Sequence, residues 1–337
     1  MNVLFSCASL IMAQCLGQAV CSKIHDYQPI ANQIIGYLAN GSGRGQAMER
    51  LTTLTDTFGH RMVGEKSLDK AIDYLIEKMK SEGLNNVHKE IVHNLPLWVR
   101  GLDDKAILVS PRRQKLAILA LGSTVKTPPS GLCARAIVVR DFIDLEKKRA
   151  HVKGRIVVYN QDWQGYGRSS AYRTKGASKA AAFGAVAVLV RSVTPHSIYT
   201  PHTGQQFYDP QVSKIPAASI TVEDAQMLYR MQMKGQTIKI CINISSDTIG
   251  KVDSFNTVAE LTGSVYPNEI VMISGHLDSW DVGTGAMDDG GGVVTAWQAL
   301  SAIKALGLKP KRTIRAVFWT AEEQGYLGEE IFFTLKY

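Results

Sequence analysis

The chain has 337 residues, and 38 Lys and Arg against 30 Asp and Glu give a formal net charge of +8. Being 45% hydrophobic and 20% charged, it is too apolar for a disordered chain, and its 29 Gly follow no collagen-like period of three. No apolar run of spanning length lies beyond the N-terminus, which excludes a multi-span membrane protein and leaves one large domain or two ordinary ones.

The basic residues are scattered. Their densest cluster, Lys309 to Arg315, is broken by Pro310, Thr313 and Ile314, so a basic soluble surface is favoured over a nucleic-acid partner. Residues 1–19 carry no charged side chain, Val3 to Leu16 is mostly apolar, and Gly17-Gln18-Ala19 sets small residues where a signal peptidase reads. A secretory signal peptide over 1–19 is expected, although its n-region lacks Lys and Arg; the alternative is a buried N-terminal helix. The sequons Asn40-Gly41-Ser42 and Asn243-Ile244-Ser245 fit the same route. After signal removal Cys21, Cys133 and Cys241 remain, an odd number that leaves at least one thiol free or paired with another chain.

Residues 28–50 read as helical, loosening at Asn40 to Gly43. Ala71, Ile72, Leu75, Ile76 and Met79 recur at helical spacing within Leu68 to Lys80, and Gly83 stops that helix. Val87 to Val92 reads as a strand. From about 115 the texture changes to short strands (116–121, 136–139, 155–159, 185–190) around one Ala-rich helix, 172–183, suggesting a compact β-rich module over 115–250. Asn256 to Leu261 is a further strand. Ile270 to Ile273 is apolar throughout, as for a strand buried on both faces. Val293 to Leu306 is a helix ended by Gly307 and Pro310, and Ile314 to Trp319 is a buried strand. Strand, helix, strand implies a right-handed crossover between parallel strands, so the core is α/β.

Three polar clusters punctuate this last third. Ser274-Gly275-His276-Leu277-Asp278-Ser279-Trp280-Asp281 follows a strand, Ala286-Met287-Asp288-Asp289-Gly290-Gly291-Gly292 precedes the helix, and Thr320-Ala321-Glu322-Glu323-Gln324-Gly325 follows the next strand. Each alone has an ordinary reading: a hydrogen-bonded pair, a helix cap at Asp289, a solvated face. Together they map to one rim at the carboxyl ends of parallel strands, where open α/β sheets bind ligands. One imidazole among carboxylates suits Zn²⁺. Neighbouring Glu322 and Glu323 point opposite ways on an extended segment, whereas a turn there brings both to the site. Rossmann, Walker A and Gly-x-Ser-x-Gly patterns are absent.

These clusters, with DTFGHRMVG (56–64), YRTKGA (172–177), RSVTPHSIYTPHTG (191–204) and KPKRTIRAVFWTAEEQG (309–325), resemble the two-zinc aminopeptidase and glutamate carboxypeptidase family over about 28–325. The resemblance implies a zinc-peptidase core with a mostly parallel sheet, incomplete at the C-terminus, and an inserted β-rich protease-associated domain. The implied segments are 1–19 signal peptide, 20–114 N-terminal part of the peptidase domain, 115–250 insert and 251–337 zinc core. By position, His276 binds one of two Zn²⁺ ions, Asp288 bridges both and Glu323 binds the other. Glu322 is the catalytic general base, Asp278 orients His276, and the Asp288–Asp289 peptide is cis.

The implied activity is dipeptidase or carboxypeptidase hydrolysis of small peptides by a homodimeric glycoprotein without a stable membrane span. Its implied location is secreted or lysosomal, reached through the endoplasmic reticulum and Golgi. The alternatives are an aminopeptidase on longer peptides and a non-catalytic binding or regulatory isoform. The family pattern also calls for a further Asp and a further His downstream of Gly325, and neither is matched before Tyr337. Counting two protein ligands per zinc, the expectation is a C-terminally truncated chain that holds zinc weakly and is inactive as written.

Overall fold

The computed structural model describes residues 25–336. The expected signal peptide, with Cys7 and Cys15, and also Cys21 lie outside them. The N-terminal part contributes helices α1 (Gln28–Ala39), α2 (Gln46–Thr52) and α3 (Lys66–Ser81), then strand β1 (Asn85–Val99). A long excursion follows: β2 (Lys105–Ser110), β3 (Gln114–Leu116), β4 (Ile118–Ala120), β5 (Leu132–Val139), α4 (Phe142–Lys147), β6 (Ile156–Tyr159), α5 (Tyr166–Ala181), β7 (Ala187–Arg191), β8 (Ala217–Ile220), α6 (Val222–Met233) and β9 (Lys239–Asn243). The chain returns through β10 (Asp247–Leu261), β11 (Tyr266–His276), α7 (Gly291–Ala305), β12 (Arg312–Trp319) and α8 (Leu327–Lys336).

The core sheet runs β1-β10-β12-β11. α3 lies on it because Leu68, Ala71, Ile72, Leu75 and Met79 form one buried stripe. Its end is set by Gly83 at φ 73°, with the Leu84 N–H closing onto the Met79 carbonyl. α7 packs beside α3 through Val293, Trp297 and Leu300, in one cluster with Ala316 and Phe318 of β12. Phe332 of α8 covers the other face with Val258, Val317 and Trp319.

The α/β class is as expected, but this sheet is mixed rather than mostly parallel. Only β11 and β12, joined by the α7 crossover, run parallel; β1–β10 and β10–β12 are antiparallel. β11 is an edge strand among the described residues, and Ile270 and Val271 are exposed, not buried on both faces. An all-apolar run reports hydrophobicity and not the number of neighbouring layers.

The parallel character sits in the second sheet, ordered β3-β2-β9-β5-β6-β7-β8-β4. Four consecutive strands of it, β5 to β8, are parallel neighbours. β6, β7 and β8 are buried along their whole length, between α6 on one face and α5 on the other. This sheet already takes in Lys105–Ser110, upstream of the change in texture at 115. Cys133 and Cys241, direct partners across β5 and β9, form a disulfide.

Candidate metal centre

β11 and β12 are in register to their last residues, His276 opposite Trp319. Both therefore release the chain at the same edge, and the turn into α7 comes back to it. There His276, Asp288 and Glu323 each present one ligand atom, and these atoms lie within 4.8 Å of one another. The fold thus brings together the three side chains that the resemblance names as ligands.

Glu322 and Glu323 reach the site together because the strand stops. Ala321 takes φ 59°, and the turn closes with the Gly325 and Tyr326 N–H groups on the Glu322 carbonyl at 2.8 and 2.9 Å. Glu322 Oε2 then stands 3.7 Å from His276 Nε2. Asp278 is buried beneath the turn. Its two carboxylate oxygens accept the backbone N–H groups of Glu322 and Glu323, both at 3.1 Å. Its carbonyl oxygen faces His276 Nδ1 at 2.9 Å, whereas its carboxylate is 3.7 Å away.

Asp289 joins strand to helix. It accepts the His276 N–H at 3.1 Å and the Gly292 N–H, in the first turn of α7, at 2.9 Å. Gly292 is required there, since a Cβ would run into the Asp289 carboxylate. The Asp288–Asp289 peptide is cis, as the resemblance implies.

The charges of the cluster act strongly on one another. Burial works against the charged form of His276. The hydrogen bond to Asp288, at 2.9 Å, and the charges of Asp278, Glu322 and Glu323 outweigh it and hold the imidazole up at about 10. Burial pushes the Glu323 carboxyl up to about 8, with Asp288 and Asp278 adding to the effect. Glu322 and Asp278 are raised by burial as well, and Asp288 alone is lowered, by its bond to His276. Carboxylates packed this closely ionise together only when a cation joins them. Imidazole nitrogen with two carboxylates is a donor set that fits zinc.

Residues 256–336 match peptidase family M28, and residues 121–228 match the PA domain. Carboxypeptidase Q of Mus musculus is 49% identical over 313 residues, 93% of this chain and 66% of that protein. Carboxypeptidase Q of Homo sapiens is 47% identical over 331 residues, 94% of this chain and 70% of that protein. A crystal structure of a peptidase M28 precursor from Shewanella amazonensis superposes with a TM-score of 0.86 at 34% identity, covering 92% of this chain and 71% of that one. The chain belongs to peptidase family M28. It spans about two thirds of the length of the relatives it matches.

Within this M28 frame the structure adds residues that the sequence reading gave no role. Arg61 is fully buried and grips the loop after β11 at both ends. Nε donates to the Leu277 carbonyl at 2.7 Å, and the two terminal nitrogens donate to Gly59, Thr284 and Gly285 carbonyls at 2.9, 2.7 and 3.0 Å. Arg100, where the chain leaves β1, holds Asp281 of the same loop through two bonds at 2.6 and 2.8 Å. It also reaches the Ala120 carbonyl of the insert at 2.5 Å. The insert is thereby fixed above the M28 site. Between them lies a cavity of about 390 Å³, floored by Asp288, Glu322 and Glu323 and roofed by Tyr166, Arg173 and His202. Arg173 and His202 fall inside the stretches YRTKGA and PHTG, but nothing in their spacing marks them as cavity residues.

Proposed function

We propose that this M28 chain is a zinc peptidase of the dipeptidase or carboxypeptidase type, hydrolysing peptide bonds of small peptides. The observation that carries the reading is the convergence of His276, Asp288 and Glu323 at one site beside a cavity, with a third carboxylate, Glu322, next to them. The family is zinc-dependent, and His276, Asp288 and Glu323 would hold the metal, with Asp288 shared between two ions as the resemblance implies. Zinc at such a set supplies a Lewis acid for the scissile carbonyl and a water acidified for attack.

Glu322 is the general base in this reading. Its carboxylate takes a proton from the attacking water and gives it to the leaving amine, and burial moves its pKa towards the working range of a proton carrier. Asp278 is a positioning residue, since the two N–H groups it accepts belong to base and ligand alike. His276 Nδ1 is engaged by the Asp278 carbonyl, which leaves Nε2 as the ligating nitrogen.

The same proposal routes the protein through the secretory pathway to a secreted or lysosomal location. The Cys133–Cys241 disulfide and the exposed sequon asparagine Asn40 support an oxidising, glycosylating route. No helix of the described residues is long and apolar enough to cross a membrane. Homodimer assembly rests on the resemblance and is measured by sedimentation.

The test measures zinc per chain and dipeptide hydrolysis on one purified sample. Chelation should abolish turnover and added zinc should restore it. Glu322→Gln should lower turnover at least about a thousandfold while zinc stays bound. Zinc loss in that variant would make Glu322 a ligand, and surviving turnover would remove it as the base. A chain that binds peptide without hydrolysing it would be a binding protein, and cleavage confined to longer peptides would make it an aminopeptidase.

A further inference from the structure

One face of the insert's sheet is covered over only part of its width. Ile137 and Val139 of β5 pack there with Leu145 of α4 and with Ala177 and Ala180 of α5. By alternation Cys133 and Arg135 lie on the same face, and both are exposed. The face continues across β9, β2 and β3 through Lys239, Cys241, Lys105, Ile107 and Lys115, none of them buried. The opposite face of these strands is core, with Ala106, Leu108, Leu116, Ile240 and Ile242.

Arg135 and Lys239 are direct partners across antiparallel β5 and β9. Like charges so placed repel each other. The next outward rung is the Cys133–Cys241 disulfide, which ties the two strands together against that repulsion. The same rung runs on through Ile107 to Lys115, and Lys105 stands opposite Asn243 one rung further. Lys105, Arg113 and Lys115 share a depression of about 500 Å³. Two acids reach it, but Asp104 already accepts the Ser245 N–H at 2.7 Å and the Ser246 hydroxyl, which leaves Asp103. Among the described residues none of Lys105, Arg113, Lys115, Arg135 and Lys239 forms an ion pair.

We propose that this face binds a sulfated polysaccharide. The cations spread over four strands about 4.8 Å apart, which is wider than one small anion and suits a linear polyanion. A single-stranded nucleic acid would call for stacking rings, and β2, β3, β9 and the first half of β5 contain no aromatic residue. A membrane would call for several protruding apolar side chains, and here only Leu102, at the edge, is a fully exposed one. Sulfates seated between Arg135 and Lys239 would turn a repulsive rung into an attractive one. None of these residues lines the cavity over His276, so the polymer would hold the protein in place with its cavity open.

The experiment is equilibrium binding of a heparin octasaccharide to the full chain. Binding should weaken at least about tenfold between 50 and 200 mM salt. Arg135→Glu with Lys239→Glu should weaken it at least about 30-fold, and Lys70→Glu, on α3, by about twofold or less. Lys239→Glu alone sets an acid opposite Arg135 and should melt no lower than the parent, so its loss of binding is not loss of fold. If it does melt lower, Lys105→Gln with Lys115→Gln decides, and should cost about tenfold. No octasaccharide binding, binding unchanged by these substitutions, or equal affinity for unsulfated hyaluronan overturns the proposal. Tighter binding of oligo(dT) or of phosphatidylserine vesicles also overturns it, in favour of a nucleic acid or a membrane. The face must also be free of glycan at Asn243, which is half-buried with its amide oxygen 3.4 Å from the Thr127 hydroxyl. An occupied Asn243 sequon, seen by mass spectrometry of chain secreted from animal cells, overturns it as well.

Discussion

Arg61 spends its guanidinium on carbonyl oxygens, and that choice shapes the site. Three backbone acceptors at the two ends of the loop after β11, and the nearby Gly59 carbonyl, are satisfied by one rigid fork, so His276, Asp278 and the entry to α7 are held as a unit. Arg61→Met would leave those carbonyls without their donors and should lower the unfolding free energy by about 3 kcal/mol in a denaturant titration. Arg61→Lys should recover little of it, because an ammonium cannot span both ends of the loop. None of this was legible locally. A buried arginine and a surface arginine look alike in DTFGHRMVG, whereas Glu322 and Glu323 announce themselves by ending the apolar run Ala316 to Trp319. Spacing alone left open whether the two share one site, and the resemblance implied that they do; the left-handed backbone at Ala321 is what brings them together.

Periodicity made some elements readable and left others dark. The stripe of α3 and the run of β12 were plain, because each meets the core on the face its spacing defines. β1 was only partly visible: His, Lys, Glu, Asn and Pro interrupt its alternation, and its 15 residues are held by pairing with β10 more than by burial. α8 carries a testable tension of its own. One carboxylate oxygen of Glu329 is buried without a partner, and burial pushes the carboxyl up to about 7 from an ordinary 4.5. The folded chain therefore keeps a proton that the unfolded chain has lost between those values. This group's contribution to stability should fall as pH rises from 4.5 to 7. Glu329→Gln should flatten that part of the Tm-against-pH curve, and an unchanged slope would show that the carboxyl reaches water.

At the scale of the molecule, two bodies meet over one cavity, and a small number of contacts sets their alignment. Arg100 and Asp281 are both largely buried and doubly bonded, and Trp98 packs edge-on against Trp280 beside them. Arg100→Met would leave the Asp281 carboxylate half-enclosed and unpaired. It should cost about 3 kcal/mol and broaden unfolding into two resolved transitions, one for each sheet, in calorimetry. A single sharp transition at an unchanged Tm would mean that the apolar contact alone holds the bodies together. The presence of a separate β-rich module was readable from residue 115 onward. Its parallel centre was not, because short apolar runs do not say which way their neighbours run.

Val99 and Asp247 are register partners across β1 and β10, so everything from residue 100 to residue 246 leaves and rejoins the core at a single rung. To the core, the insert is topologically the tip of a hairpin, and a tight two-residue turn could bridge the same gap. The pairing of β1 with β10 looks remote along the chain. Once the insert has condensed, its ends are already about one strand spacing apart and little closure entropy remains to be lost. The same stem separates inheritance from chemistry: a lineage could replace the whole roof of the cavity, and with it what the protein accepts, without displacing one ligand on the floor.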